Sequence, residues 1–140
     1  MPKVKTVAVK EKFIAVIGRR KEATARVRLF TGKGENIVNG KPIGEYFPGT
    51  IAKSNYLKPF DLTDSANKFH ISVICTGGGN NGQLEATIMG VARALAKADP
   101  EKYKPVMKIN GLLTRDSRTR QRRNVGMGGK ARRKKQSPKR

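Results

Sequence analysis

The feature that most limits how this chain can fold is where its charge lies. Residues 111–140 carry twelve Lys and Arg against a single acid, Asp116, a net of +11. Residues 1–110 carry nineteen against nine, a net of +10, so about a fifth of the chain holds just over half of the total of +21. Beyond Val125 the only side chains of any apolar size are Met127, Ala131 and Pro138. That is too little to offset the entropy of ordering the segment, and like-charge repulsion extends it further. The expected organisation is a short basic lead-in over 1–10, a globular body over 11–110, and an extended basic C-terminal tail over 111–140 that is disordered on its own.

Several function classes fall away at once. No apolar run approaches the ~18–20 residues that a membrane span needs. Met1-Pro2-Lys3-Val4-Lys5 lacks the apolar stretch of a secretory signal. Cys75 is the lone cysteine and His70 the lone histidine, so neither an internal disulfide nor a Cys/His metal cluster can form. The expectation is a reducing, cytoplasmic setting with no metal, cofactor or small-molecule substrate. The charge makes a polyanion the leading partner. In the tail arginine outnumbers lysine, which favours bidentate phosphate recognition, and beyond Leu113 the lack of leucine or aromatic anchors argues against a membrane surface.

Within the body, Phe13-Ile14-Ala15-Val16-Ile17 is an apolar run of strand formers that Gly18 is expected to close. Ala25, Val27 and Leu29 alternate with Thr24, Arg26 and Arg28, the period of a half-buried strand. Between them, Gly18-Arg19-Arg20-Lys21 reads as a hairpin connection. Asn39-Gly40 marks a second tight turn. A short helix is expected near Ile51–Leu57, ended by Pro59. Phe69, Ile71, Val73 and Cys75 share one face of a strand running to about Thr76. Leu84, Ile88, Val91 and Leu95 form an apolar stripe at helical spacing, which Asp99-Pro100 ends. Asp99-Pro100 could also cap a short helix running toward Lys108, although Pro105 makes a regular helix before Gly111 doubtful on these rules.

Between that last strand and helix, Gly77, Gly79 and Gly82 satisfy G-x-G-x-x-G in the context that dinucleotide binding requires. The companion acid at the end of a second parallel strand is missing, and Gln83 stands where a Walker loop needs lysine. A loop of this kind still presents backbone N–H groups at a helix start, which attract phosphates of any kind. A nucleotide-dependent enzyme, a nucleic-acid phosphate contact and an unliganded tight turn all remain open on the loop alone. Arg19, Arg20, Lys21, Arg26 and Arg28 gather five cations with only Glu22 nearby, an expected anion-binding surface that positions a polyanion without reading its sequence. His70 reads as an ordinary strand residue and Cys75 as a small core residue. Tyr46, Phe47 and Tyr56 read as packing residues before base-stacking ones. No acid–base pair, triad or metal site emerges. The residues give a basic RNA-binding body with a cationic arm, and a free nucleic-acid chaperone or DNA-condensing protein is one rival reading.

Four stretches then carry a resemblance over nearly the whole chain. They are Gly18-Arg19-Arg20-Lys21 with Ala23-Thr24-Ala25-Arg26-Val27, and Val38-Asn39-Gly40-Lys41-Pro42 with Tyr46-Phe47. The third is Gly77-Gly78-Gly79-x-x-Gly82-Gln83 running to Gly90-Val91-Ala92-Arg93-Ala94-Leu95. The fourth is Leu112-Leu113-Thr114-Arg115-Asp116, followed by a basic tail ending in Lys139-Arg140. The chain resembles the small-subunit ribosomal protein nine family in its bacterial form. The sequence departs from the family pattern at Leu84-Glu85, Ile88-Met89, Gln121, Asn124, Val125 and Ser137-Pro138. The resemblance implies an α+β body of the fold of the second domain of small-subunit ribosomal protein five. It implies a structural constituent of the small-subunit head and no enzyme. The expected partners are 16S-type rRNA, neighbouring head proteins and the anticodon stem-loop of P-site tRNA. Carried over by position, Arg19, Arg20, Lys21, Arg26, Arg28, Arg115, Arg118, Arg120, Arg122, Arg123, Lys130, Arg132, Arg133, Lys134 and Lys135 face rRNA. Gly77, Gly78, Gly79, Gly82 and Gln83 form a phosphate-facing loop, and Lys139 and Arg140 meet the tRNA.

Overall fold

A computed structural model describes residues 12–126, and it is an α+β arrangement. Strands β1 (Phe13–Arg20) and β2 (Ala23–Thr31) form a long hairpin. β3 (Ile37–Val38) and β4 (Lys41–Pro42) form a minimal one, followed by the single turn α1 (Ile43–Tyr46) and helix α2 (Thr50–Thr63). β5 (Phe69–Thr76) leads into α3 (Asn80–Ala98), and α4 (Tyr103–Ile109) closes the series. The strands lie in the order β1-β2-β5-β3-β4, antiparallel except where β3 runs parallel to β5. All three helices longer than one turn pack into one layer, with α3 lying along β1 and β2 and touching both α2 and α4. Among the described residues no helix covers the other face of β1, β2 and β5.

The hairpin turn is tighter than the sequence suggests. β1 runs through Gly18 and Arg19 to Arg20, and only Lys21 and Glu22 make the connection, with Lys21 at φ 53°. Gly18 does not close the strand because its work is steric. A Cβ built there would lie 2.0 Å from the Ala86 carbonyl oxygen and 2.6 Å from the Gly90 nitrogen, and one built on Gly90 would lie 2.5 Å from Val27 Cγ2. Strand and helix backbones touch at this crossing, and any side chain would separate them. Asn39 and Gly40 both take positive φ, as the expected two-residue turn requires.

Both proline expectations are overturned. Pro59 does not end α2; it lies inside the helix, fully buried, one turn before the end. Continuing past it carries Phe60 and Thr63 into the core, which outweighs one missing backbone hydrogen bond. The helix stops instead at Asp64, which adopts the left-handed conformation at φ 50°. Pro105 stands in the first turn of α4, where the N–H it lacks has no intrahelical acceptor in any case. The apolar stripe of α3 is as expected, with Leu84, Val91 and Leu95 buried and Ile88 half-buried.

The dinucleotide reading of the glycine loop fails on topology. After α3 the chain turns at Asp99 into α4, and among the described residues no parallel strand follows to complete a βαβ unit. Cys75 is a core residue whose thiol is pushed up by burial.

The crossing makes a graded prediction. Gly18→Ala drives a methyl into backbone atoms that cannot rotate away, and should cost about 3 kcal/mol or more in a denaturant titration. Gly90→Ala meets a side chain and should cost less, about 1–2 kcal/mol. Equal costs would mean that the helix slides freely over the hairpin.

Candidate nucleic-acid interface

The five cations expected as one cluster are divided by the alternation of β1 and β2. Arg19, Arg26 and Arg28 point away from the helices and are exposed, and Lys21 is exposed at the turn. Arg20 points the opposite way, into the helix layer, with only 11% of its side chain exposed. Its Nε donates to Glu85 Oε2 at 2.5 Å, and its Nη1 donates to the Arg118 carbonyl at 2.6 Å. The third guanidinium nitrogen, Nη2, lies 3.5 Å from Asp116 Oδ2. Arg20 is therefore spent inside the chain, and the phosphate surface expected around it lacks its guanidinium.

Those contacts hold the base of the C-terminal arm, which the charge pattern alone leaves free. Leu112 and Leu113 pack on the edge of the core. Arg93, from α3, donates to the carbonyls of Ile17 at 3.2 Å and Leu113 at 3.5 Å. Arg115 reaches back to the Lys21 carbonyl at 3.4 Å. Asp116 accepts from the Arg118 backbone N–H at 3.0 Å and from its guanidinium at 2.8 Å. The Arg118 side chain and backbone bonds, with Arg20 adding its charge, hold the Asp116 carboxyl well below the usual carboxylate range. From Thr114 to Gly126 there is no helix or strand, and Arg115, Arg118, Arg120, Arg122 and Arg123 are all exposed. Arg93, Glu85 and the structural part of Asp116 were missed by sequence reasoning. No periodicity links residues this far apart, and the unmatched acid in a basic arm was the one available signal.

The glycine loop sits against the hairpin turn. Gly77 and Gly78 take positive φ, and a Cβ on Gly77 would lie 2.6 Å from the Glu22 carbonyl oxygen. Gln83 holds the loop shut: its Nε2 donates to the Gly77 carbonyl at 3.1 Å while its Oε1 accepts from Tyr46 Oη. Tyr46 also accepts from Asn39 Nδ2 at 3.0 Å, so the second turn and the loop are tied together. A cavity of about 640 Å³ opens between the hairpin turn, the start of α3 and the arm, lined by Lys21, Gly78, Gly79, Gly82 and Arg120, with Glu22 as its one acid. Backbone N–H groups at a helix start beside two cations suit an anion. Lys130, Arg132, Arg133, Lys134, Lys135, Lys139 and Arg140 lie outside the described residues.

Residues 18–140 match the family described as Ribosomal protein S9/S16. The small ribosomal subunit protein uS9 of Maridesulfovibrio salexigens is 45% identical over 112 residues, spanning 80% of this chain and 85% of the relative. That of Dehalococcoides mccartyi is 42% identical over 118 residues, spanning 84% and 89%.

The attachment of the arm makes a second prediction. Asp116→Asn should leave the melting temperature of the body almost unchanged but speed tryptic cleavage after Arg115 and Arg118 several-fold, because the arm base is released. In the intact chain the attachment should survive acidification through the ordinary carboxylate range. A depressed carboxylate contributes stability above its unfolded pKa and loses it only as pH falls through the lower folded value. Unchanged cleavage in the variant would mean that Asp116 does not hold the arm.

Proposed function

The chain belongs to the ribosomal protein S9/S16 family, and on that premise we propose that its exposed arginines hold small-subunit rRNA through phosphate contacts while its tail carries Lys139 and Arg140 to P-site tRNA. Membership makes the chain a structural constituent of the small ribosomal subunit, in the cytoplasm, and not an enzyme. We read the α+β body as the fold of the second domain of small-subunit ribosomal protein five. In that reading the lead-in covers 1–10, the body 11–110 and the extended basic tail 111–140.

The observation that carries the reading is the separation of the cations into two classes. Arg20 and Arg93 are used internally, on carboxylates and carbonyls. Arg19, Arg26 and Arg28 stand on an open sheet face, and Arg120, Arg122 and Arg123 stand on the arm, with no carboxylate within ion-pair distance among the described residues. Guanidinium groups held in this way on a rigid strand are ready to replace condensed counterions along an RNA backbone. Lys21 and the loop Gly77, Gly78, Gly79, Gly82 and Gln83 add a phosphate position at the start of α3. Arg115 and Arg118, together with Lys130, Arg132, Arg133, Lys134 and Lys135 further along, would continue the contact through narrow gaps between RNA segments. Arg20 then serves the RNA at one remove, as a positioning residue for the arm. Neighbouring head proteins would complete the surroundings.

Two measurements test this. Each of Arg26→Gln and Arg28→Gln should lower the slope of log affinity against log salt by roughly 0.7–0.9 on small-subunit rRNA. Removing Lys139 and Arg140 should leave incorporation into the subunit intact, by sedimentation at high salt, and weaken P-site tRNA binding. Loss of incorporation on that two-residue truncation would falsify the division of labour between body and tail end.

A further inference from the structure

The uncovered sheet face has an order that phosphate contact alone does not use. The register of β1, β2 and β5 places Phe13, Phe30 and His70 in one row across the sheet, followed by Ala15, Arg28 and Ser72. The next row is Ile17, Arg26 and Ile74, and the last is Arg19, Thr24 and Thr76. None of these positions is buried and none is acidic. Phe13 and Ile17 are each 45% exposed and Ile74 48%, a large apolar expenditure for a face turned toward water. Phe13 and Phe30 meet at 5.6 Å, Phe30 stacks on His70 at 5.1 Å, and the Arg28 guanidinium lies 5.1 Å from the Phe13 ring centre. The face is thus preassembled, with rings, aliphatic side chains and guanidinium groups interleaved.

We infer that this face binds an unpaired RNA segment, its bases lying on the Phe13–Phe30 and Ile17–Ile74 rows and its phosphates held by Arg19, Arg26 and Arg28. The inference rests on the rRNA reading above and names the part of RNA that this surface takes. A partner here must offer anions at the strand repeat that separates Arg26 from Arg28, about 7 Å, and flat apolar faces beside them. A duplex offers only the first, since its bases are closed within the stack, and it would leave the apolar rows against phosphate. Unpaired nucleotides offer both, and aromatic sheet faces are a sequence-tolerant platform for them. An acidic protein segment would also complement the charge. The face carries three arginines and no lysine, however, and the guanidinium fork fits bidentate phosphate recognition closely.

The test uses the full chain with a short oligouridylate and with an RNA duplex of the same length, titrated across salt. Phe13→Ser combined with Ile74→Ser should weaken oligouridylate binding about tenfold at unchanged salt slope, since no charge is removed, and leave duplex binding as it was. Phe13→Tyr alone should bind like the parent. Both serine positions are exposed, and a melting curve checks that the body is intact. Equal loss on duplex and single strand, or no loss on either, overturns the inference. So does protection of this face by polyglutamate in place of oligouridylate, which would assign it to a protein partner. Arg26→Gln in the same titration separates the two readings: a shallower slope there, with no effect of the serine pair, keeps the phosphate contacts and discards base stacking.

Discussion

The contact on which the rest depends is the backbone crossing of Gly18 and Gly90. It lets α3 lie directly on the hairpin, with no side chain between them at the point of contact. Close-packed interiors respond to a single added methyl, so this crossing sets the height and angle of the helix across β1 and β2. Three consequences follow from one geometry. The helix layer is confined to one face of the sheet, which leaves Arg19, Arg26 and Arg28 together on the other. Glu85 comes within reach of Arg20, one strand repeat beyond Gly18. Arg93, two helical turns beyond Glu85, reaches both the β1 carbonyl of Ile17 and the arm carbonyl of Leu113.

The ion pairing of the body is concentrated in one place. Among the described residues, the ion pairs all fall in the cluster of Arg20, Glu85, Asp116 and Arg118. A fully buried pair costs about 3–5 kcal/mol to break, while an exposed one contributes about 0–1 kcal/mol. Glu85 is 54% exposed, so its loss belongs near the lower figure, whereas Arg20 at 11% cannot be left without acceptors. The Arg118 carbonyl is therefore as important as either carboxylate, because it satisfies a nearly buried donor without bringing a second charge out of water. Elsewhere among the described residues no cation has a carboxylate within ion-pair distance, and the excess positive charge repels itself, a cost that a bound polyanion removes.

How far the sequence could be read varied with how local the determining physics was. The β5–loop–α3 unit was legible because strand alternation, glycine punctuation and an i, i+4, i+7 stripe all act within a few residues. Asn39-Gly40 was legible for the same reason. The family resemblance was legible because four motifs stand in order along nearly the whole chain. The division of Arg19 from Arg20 was not. Phe13 to Ile17 is apolar on both faces, so β1 shows no alternation from which to count outward. Pro59 and Pro105 misled because a rule for isolated helices was applied where tertiary burial decides in one case and position in the first turn decides in the other. Gly18 looked like punctuation, since its reason lies some seventy residues away, at Gly90. The arm was half legible: its charge was plain, but the carbonyl-to-arginine contacts that fix its base involve backbone groups, which every residue has and no composition records.

That fixed base changes what a long basic tail can do. A tail hinged loosely on the body would sample its whole range of directions, and all of that freedom would be lost on binding. Here Leu112 and Leu113 are seated on the core and Asp116 is braced by Arg118 and Arg20, so the arm leaves the body at a defined point and in a defined direction. From Arg118 to the end of the chain there is enough backbone to span roughly 75 Å at full extension. A fixed origin turns that contour length into a usable reach. Arg115 is tied back to the hairpin turn and Arg118 to Asp116, so the first arginines of the arm keep a fixed place beside the body. A lone acid in a segment otherwise selected for positive charge is then no defect in the electrostatics, since it spends one unit of charge to determine where all the others begin.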